Sequence, residues 1–131
     1  EITSYSNIKS NNDVYESTTV DTGYAAHRFE FTINQSASDV ENFTATWVGK
    51  GSGGVLSKGE KFYIWNCSSS GYEQLGSFST DAKTTLSGTK TTGLSSYIDD
   101  NGKVILLVVQ NKNGGSTIET DYVKLEVVRK L

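Results

Sequence analysis

Apolar and polar residues alternate with a period of two through most of this chain. Phe29, Phe31 and Ile33 alternate with Arg28, Glu30 and Thr32, and Phe43, Ala45 and Trp47 hold one parity of the run 40–48. Near the end, Val123, Leu125 and Val127 alternate with Tyr122, Lys124 and Glu126. Each run is the pattern of a strand with one face in a core and the other toward water. A 3.6-residue period occurs only at Leu94, Tyr97 and Ile98, which predicts a single helical turn ahead of the turn at Asp100, Asn101 and Gly102. The run 104–109 is apolar on both parities, as expected for a strand buried on both faces or near the centre of a sandwich.

Further strands are expected around residues 2–8 and on both sides of a small polar loop, where residues 62–67 and 72–75 read as the arms of a hairpin. Residues 9–19 read as a polar segment with a turn at Asn11, Asn12 and Asp13. The glycine-rich stretch 49–54 reads as a flexible hairpin loop, because no helix-forming run follows it to make a phosphate cradle. Residues 77–96 are rich in Ser, Thr and Gly, with Leu86 the obvious buried residue, and predict a weak strand at a sheet edge.

About eight strands joined by turns, with no strand and helix alternation, predict an all-β fold: a two-sheet antiparallel β-sandwich of the jelly-roll type. Its expected core is Phe29, Phe31, Ile33, Phe43, Ala45, Trp47, Ile64, Leu75, Val104, Leu106, Val108, Val123 and Leu125. His27 shares the inward parity of Phe29 and is expected to be a hydrogen-bonded structural histidine near the core rim.

Composition narrows the function. The 131 residues suit one domain, 1–131, and the low apolar share of 35% suits half-buried strands with many turns. A net charge of −3 without a Lys/Arg cluster removes the electrostatic drive for nucleic-acid binding. The longest apolar run is far short of the roughly 18 residues a membrane helix needs. One Cys and one His exclude an internal disulfide and a Cys/His zinc site. Sequons at Asn34, Asn42 and Asn66 are a by-product of a chain this rich in Ser, Thr and Asn. The chain opens on Glu1 and polar residues, as a mature or excised module of a larger protein would.

The candidate chemistry lies on the hairpin. With 68–71 as its loop, Cys67 faces Tyr72 and Trp65 faces Gln74, while Phe62, Ile64 and Leu75 point to the opposite side. Tyr63, Trp65, Tyr72 and Gln74 then share a face. Two readings fit that face: a platform on which sugar rings stack beside an amide that pairs with hydroxyls, or a second buried layer. No nucleophile and base set is visible, and Asp99 and Asp100, adjacent on a turn, point apart rather than flanking one bond. An enzyme is not expected.

Residues 97–109, with Tyr97, Asp99, Asp100, Asn101 and Gly102 ahead of the apolar run, and residues 120–127, where Asp121 and Tyr122 open an alternating strand, carry a resemblance. This part of the chain resembles the C-terminal half of galactose-binding-domain-like jelly rolls of secreted bacterial and archaeal proteins. The resemblance implies a carbohydrate-binding module, extracellular or on the cell surface and joined to other domains of a parent protein. It also implies a structural calcium ion shared by an acidic residue of the N-terminal segment, Asp13 or Glu16, and by Asp121. The expected partner is a polysaccharide bound through Tyr63, Trp65, Tyr72 and Gln74. The competing expectation is a structural or adhesion domain of a surface protein with the same fold and no sugar ligand.

Overall fold

The computed structural model describes residue 13 and residues 15–52 and 58–131. The strand expected around 2–8 lies outside the described residues. Eight strands are present among them: β1 (Glu16–Val20), β2 (Tyr24–Thr32), β3 (Val40–Ser52), β4 (Glu60–Asn66), β5 (Gly71–Ser77), β6 (Thr84–Lys90), β7 (Lys103–Asn113) and β8 (Ser116–Arg129). They form two four-stranded antiparallel sheets, ordered β1-β8-β3-β6 and β2-β7-β4-β5. Every connection between successive strands changes sheet except the β4–β5 hairpin. The fold is therefore a jelly-roll sandwich. Its helical content among the described residues is two single turns of 3-10 helix, at Ala37–Asp39 and Leu94–Ser96, and the second buries Leu94 with Ile98 as its spacing requires.

The period-two pattern sets the layers. Ala25, His27 and Phe29 on β2, Phe43, Ala45 and Trp47 on β3, Phe62 and Ile64 on β4, and Val104, Leu106 and Val108 on β7 all face the gap between the sheets and are buried. Phe31, Ile33, Leu75 and Leu125, expected inside, are only partly buried and pack against the margin of this core. Burial of about 25 cal/mol per Å² of apolar surface makes this interlayer the main source of stability.

Four expectations need correction. The polar segment before β2 is part strand, since residues 16–20 pair with the inner strand β8, whose backbone groups satisfy theirs whatever the side chains. Of the two placements open to the run 104–109, the central one holds and cover on both faces does not: β7 is an inner strand of its sheet, and Ile105, Leu107 and Val109 lie on the outer face and are half-buried. Gly49 and Gly51 are strand residues of β3, not loop. A Cβ at Gly49 would strike the Glu119 carbonyl and the Trp47 ring, and one at Gly51 would strike the side chains of Glu60 and Gln110, so glycine is required where those groups fill the core. Finally, the hairpin register is moved: Trp65 faces Tyr72 and Tyr63 faces Gln74. The loop is two residues off in its pairing sum, which preserves parity and hence the faces.

Two irregularities interrupt the pairing of β8 with β3, one at its end between Val40 and Asn42 and one near its middle. Val48 pairs with Tyr122 but Gly49 pairs with Thr120, leaving Asp121 as an extra residue, a β-bulge on β8. Ser116, Ile118 and Thr120 point inward before it and Val123 after it, and Asp121 itself is fully buried.

Candidate ligand-binding face

The outer face of the β2-β7-β4-β5 sheet presents the hairpin aromatics. Tyr63 and Trp65 are half-buried, Tyr72 is 38% exposed, and Gln74 is exposed. The Trp65 and Tyr72 rings meet edge to face with centroids 4.9 Å apart and planes at 67°, and Tyr63 and Tyr72 lie 6.3 Å apart at 65°. Such pairs fix one another's orientation. Next to Tyr63 across the sheet come Leu107 on β7 and then Arg28 on β2. The four residues expected from the sequence thus lie together on one face, with Trp65 opposite Tyr72 rather than Gln74.

The face continues past the hairpin. Tyr24, 54% exposed on β2, lines with Lys61, Tyr63, Val109, Gln110 and Asn111 a recess of about 270 Å³. Sequence reasoning missed Tyr24 because, although it shares the outward parity of Arg28 and Glu30, no spacing along the chain says that β2 lies in the same sheet as the hairpin, two strands from β4. Beyond Arg28 the face turns ionic: Glu30 holds Lys103 at 2.8 Å and Arg28 at 3.6 Å, and the hydrogen bond from Lys103 keeps the Glu30 carboxyl below its ordinary range.

The hairpin is held from behind. Asn66 Oδ1 accepts from the backbone N–H groups of Ser68 (2.9 Å) and Ser69 (3.1 Å), and Ser70 takes a left-handed φ of 54° to close the turn. The Cys67 amide donates to the Ser96 carbonyl at 2.7 Å and its thiol donates to the same oxygen at 3.1 Å. Glu73 gathers Asn66 Nδ2 (2.5 Å), the Tyr97 hydroxyl (2.9 Å) and Lys90 Nζ (3.2 Å), and these bonds, that from Asn66 first, lower its pKa. The loop and the second 3-10 turn are therefore tied into one unit. Glu73, Tyr97 and Lys90 carried no sequence signal for this, since the contact joins segments that only the fold brings together.

His27 is buried between Thr18 and Thr120. Its Nε2 lies 2.9 Å from Thr18 Oγ1 and its Nδ1 2.7 Å from Thr120 Oγ1, which also accepts from Trp47 Nε1 at 2.8 Å. Burial pushes the imidazole down to about 4, so it is neutral near pH 7 and structural. Glu60, also buried, is pushed up to about 8 by burial, with the Asp81 and Glu119 charges adding to it. With the Gln110 amide turned to satisfy its neighbours, Nε2 donates to Glu60 Oε1 at 2.6 Å and to the Gly59 carbonyl at 2.9 Å.

The carboxylates that the resemblance assigns to calcium lie on the other sheet. Asp13 and Asp121 do come together, but around a side chain: Lys83 Nζ lies 2.8 Å from Asp121 Oδ2 and also bonds Asp13 Oδ1. Glu16 stands opposite Thr120 at the start of β1. Among the described residues no group of three or more His, Cys, Asp or Glu side chains is placed to hold a metal ion. With an ammonium between the two carboxylates, this donor set does not fit a divalent cation, which would have to displace Lys83.

A family model covering residues 1–129 matches the chain. The chain belongs to the AF_1625_C family. That family is described as the C-terminal domain of an uncharacterized protein. Comparison with curated proteins finds no match. Among solved structures, the chain is similar to a family 4 carbohydrate-binding module, with a TM-score of 0.55, 14% identity, and coverage of 89% of this chain and 73% of that one. It is also similar to a family 16 carbohydrate-binding module (0.51, 10%, 86% and 90%) and to a family 61 module solved with β-1,4-galactotriose (0.50, 11%, 96% and 77%). The fold is thus that of jelly-roll carbohydrate-binding modules, in agreement with the resemblance read from residues 97–127. No helix among the described residues is long and apolar enough to cross a membrane.

Proposed function

We propose that this domain is a non-catalytic carbohydrate-binding module of an extracellular or cell-surface protein, and that it takes a polysaccharide on the outer face of the β2-β7-β4-β5 sheet. The observation that carries this reading is the group of Tyr63, Trp65 and Tyr72 on a solvent-facing sheet surface beside the exposed amide of Gln74. Sugar rings present C–H faces that pack on aromatic rings, and their hydroxyls pair with side-chain amides and charged groups at the edge of the contact. The hairpin is braced through Glu73 and Ser96, so little ordering entropy is lost on binding. Planes inclined at 65° and 67° do not make one flat surface. They suit a single hydrated glycan chain, turned between successive rings, better than a crystalline polymer face. The recess between Tyr24 and Tyr63 extends the same path. The fold shared with carbohydrate-binding modules supports the reading without naming the sugar.

The test is a glycan array followed by calorimetry on the best soluble oligosaccharide. Binding is expected, and Trp65→Ala should weaken it at least tenfold, about 1.4 kcal/mol, while leaving the fold intact. An array without any bound glycan overturns the proposal and leaves a structural or adhesion domain as the function.

A further inference from the structure

Asp121 sits on the β8 bulge with a side chain 0% exposed, so its charge is withdrawn from water and requires an opposite charge in contact. Lys83, just ahead of β6, supplies it, and the same ammonium holds Asp13 in the segment before β1. The arrangement is closed on a third side. Tyr15 turns its hydroxyl to Asp13 Oδ1 at 3.4 Å, and Lys50 on β3 lies 4.6 Å from the centre of the Tyr15 ring and 3.9 Å from Glu119. Lys83 therefore stands at the place where the resemblance would set a calcium ion, with Lys50 on the far side of Tyr15. Three parts of the chain distant in sequence, the segment before β1, the approach to β6 and the bulge of β8, meet on one nitrogen.

We propose that Lys83 is the resident cation of this site: its ammonium neutralises Asp13 and Asp121 in place of a metal ion and fastens the segment before β1 to β8 without calcium. An ammonium with three donors can serve two carboxylates at once, and its charge opposes the entry of a divalent ion into the same space. The exposed Asp13 is held below its ordinary pKa chiefly by the hydrogen bond from Lys83, and Lys83 is raised chiefly by its hydrogen bond to Asp121, as an ion triad requires. The triad belongs to the sheet opposite the one that carries the aromatic face.

Thermal melting of the 131-residue chain tests it. The wild-type midpoint is expected to stay within about 1 °C when excess chelator replaces millimolar calcium, because a ligand bound only to the folded state would raise it by mass action. Lys83→Met keeps the stem and removes the charge, and should lower the midpoint by about 5 °C or more at neutral pH. A wild-type midpoint that falls in chelator overturns the proposal, as does a Lys83→Met chain that melts with the wild type. The chelator comparison uses the wild-type chain alone, so it decides the matter even where Lys83→Met does not fold.

Discussion

Trp47 and Trp65 sit in strands of the same alternating kind, yet one is interior and the other faces solvent. Trp47 on β3 is fully buried, donates its indole N–H to Thr120 and stacks on Phe78 with centroids 6.2 Å apart. Trp65 on β4 turns away from the core and meets Tyr72 on the outer face. The difference arises from what else shares each parity. Phe43 and Ala45 put Trp47 with the core set, whereas Phe62 and Ile64 claim the inner side of β4 and leave Tyr63 and Trp65 outside. A large aromatic on the side opposite a complete apolar set is free for binding, and that contrast is what the domain's proposed activity rests on.

Loss of the interior ring should cost the most. Trp47→Ala should cost about 3–5 kcal/mol, measured by urea denaturation, because it empties a packed site and leaves Thr120 without one of its partners. Trp65→Ala should cost less than about 1 kcal/mol on the same scale. If the two costs are equal, Trp65 is a core residue and the aromatic face is structural.

Next in size is Glu60, which shares the interior with Trp47 at the glycine end of β3. Its folded pKa of about 8 stands above the ordinary 4.5, so between those values the folded chain keeps a proton that the unfolded chain has released. Stability therefore falls as pH rises through that window. Glu60→Gln should flatten the decline between about pH 5 and 8 and stabilise the domain at pH 7 by on the order of 2 kcal/mol. An unchanged slope of stability against pH would show that Glu60 ionises freely in the folded chain.

The smallest effect sharpens the outer face. Tyr72→Ala removes a 38% exposed ring and should change stability by less than about 0.5–1 kcal/mol, but it withdraws the edge that orients both Trp65 and Tyr63. Glycan affinity should fall several-fold, as measured by the same calorimetry, and a Tyr72→Phe chain should keep most of it.

Local pattern alone determined the two faces of β2, β3 and β4, the all-β sandwich and the partition of the hairpin into an apolar side and an aromatic side, because a period of two is a property of the extended chain itself. It survived even a misplaced loop, since a shift of two in the pairing sum leaves parity unchanged. Other features were decided only when the sheets closed. Pairing with β8 made a strand of the polar residues 16–20, and the close approach of Trp47, Glu60 and Gln110 placed Gly49 and Gly51 inside a strand rather than a loop. The outer face of β7 is left half-open because the jelly-roll order sets nothing over it among the described residues. Tyr24 joins the aromatic face because the sheet order sets β2 two strands from the hairpin, and Asp121 is buried by a bulge, because a single inserted residue shifts parity at a point no periodic pattern announces. The meeting of Asp13, Lys83 and Asp121 lies furthest from what the sequence can show: a lysine's long stem reaches its partners through space, and which carboxylates it finds depends on the crossing of strands, not on spacing along the chain.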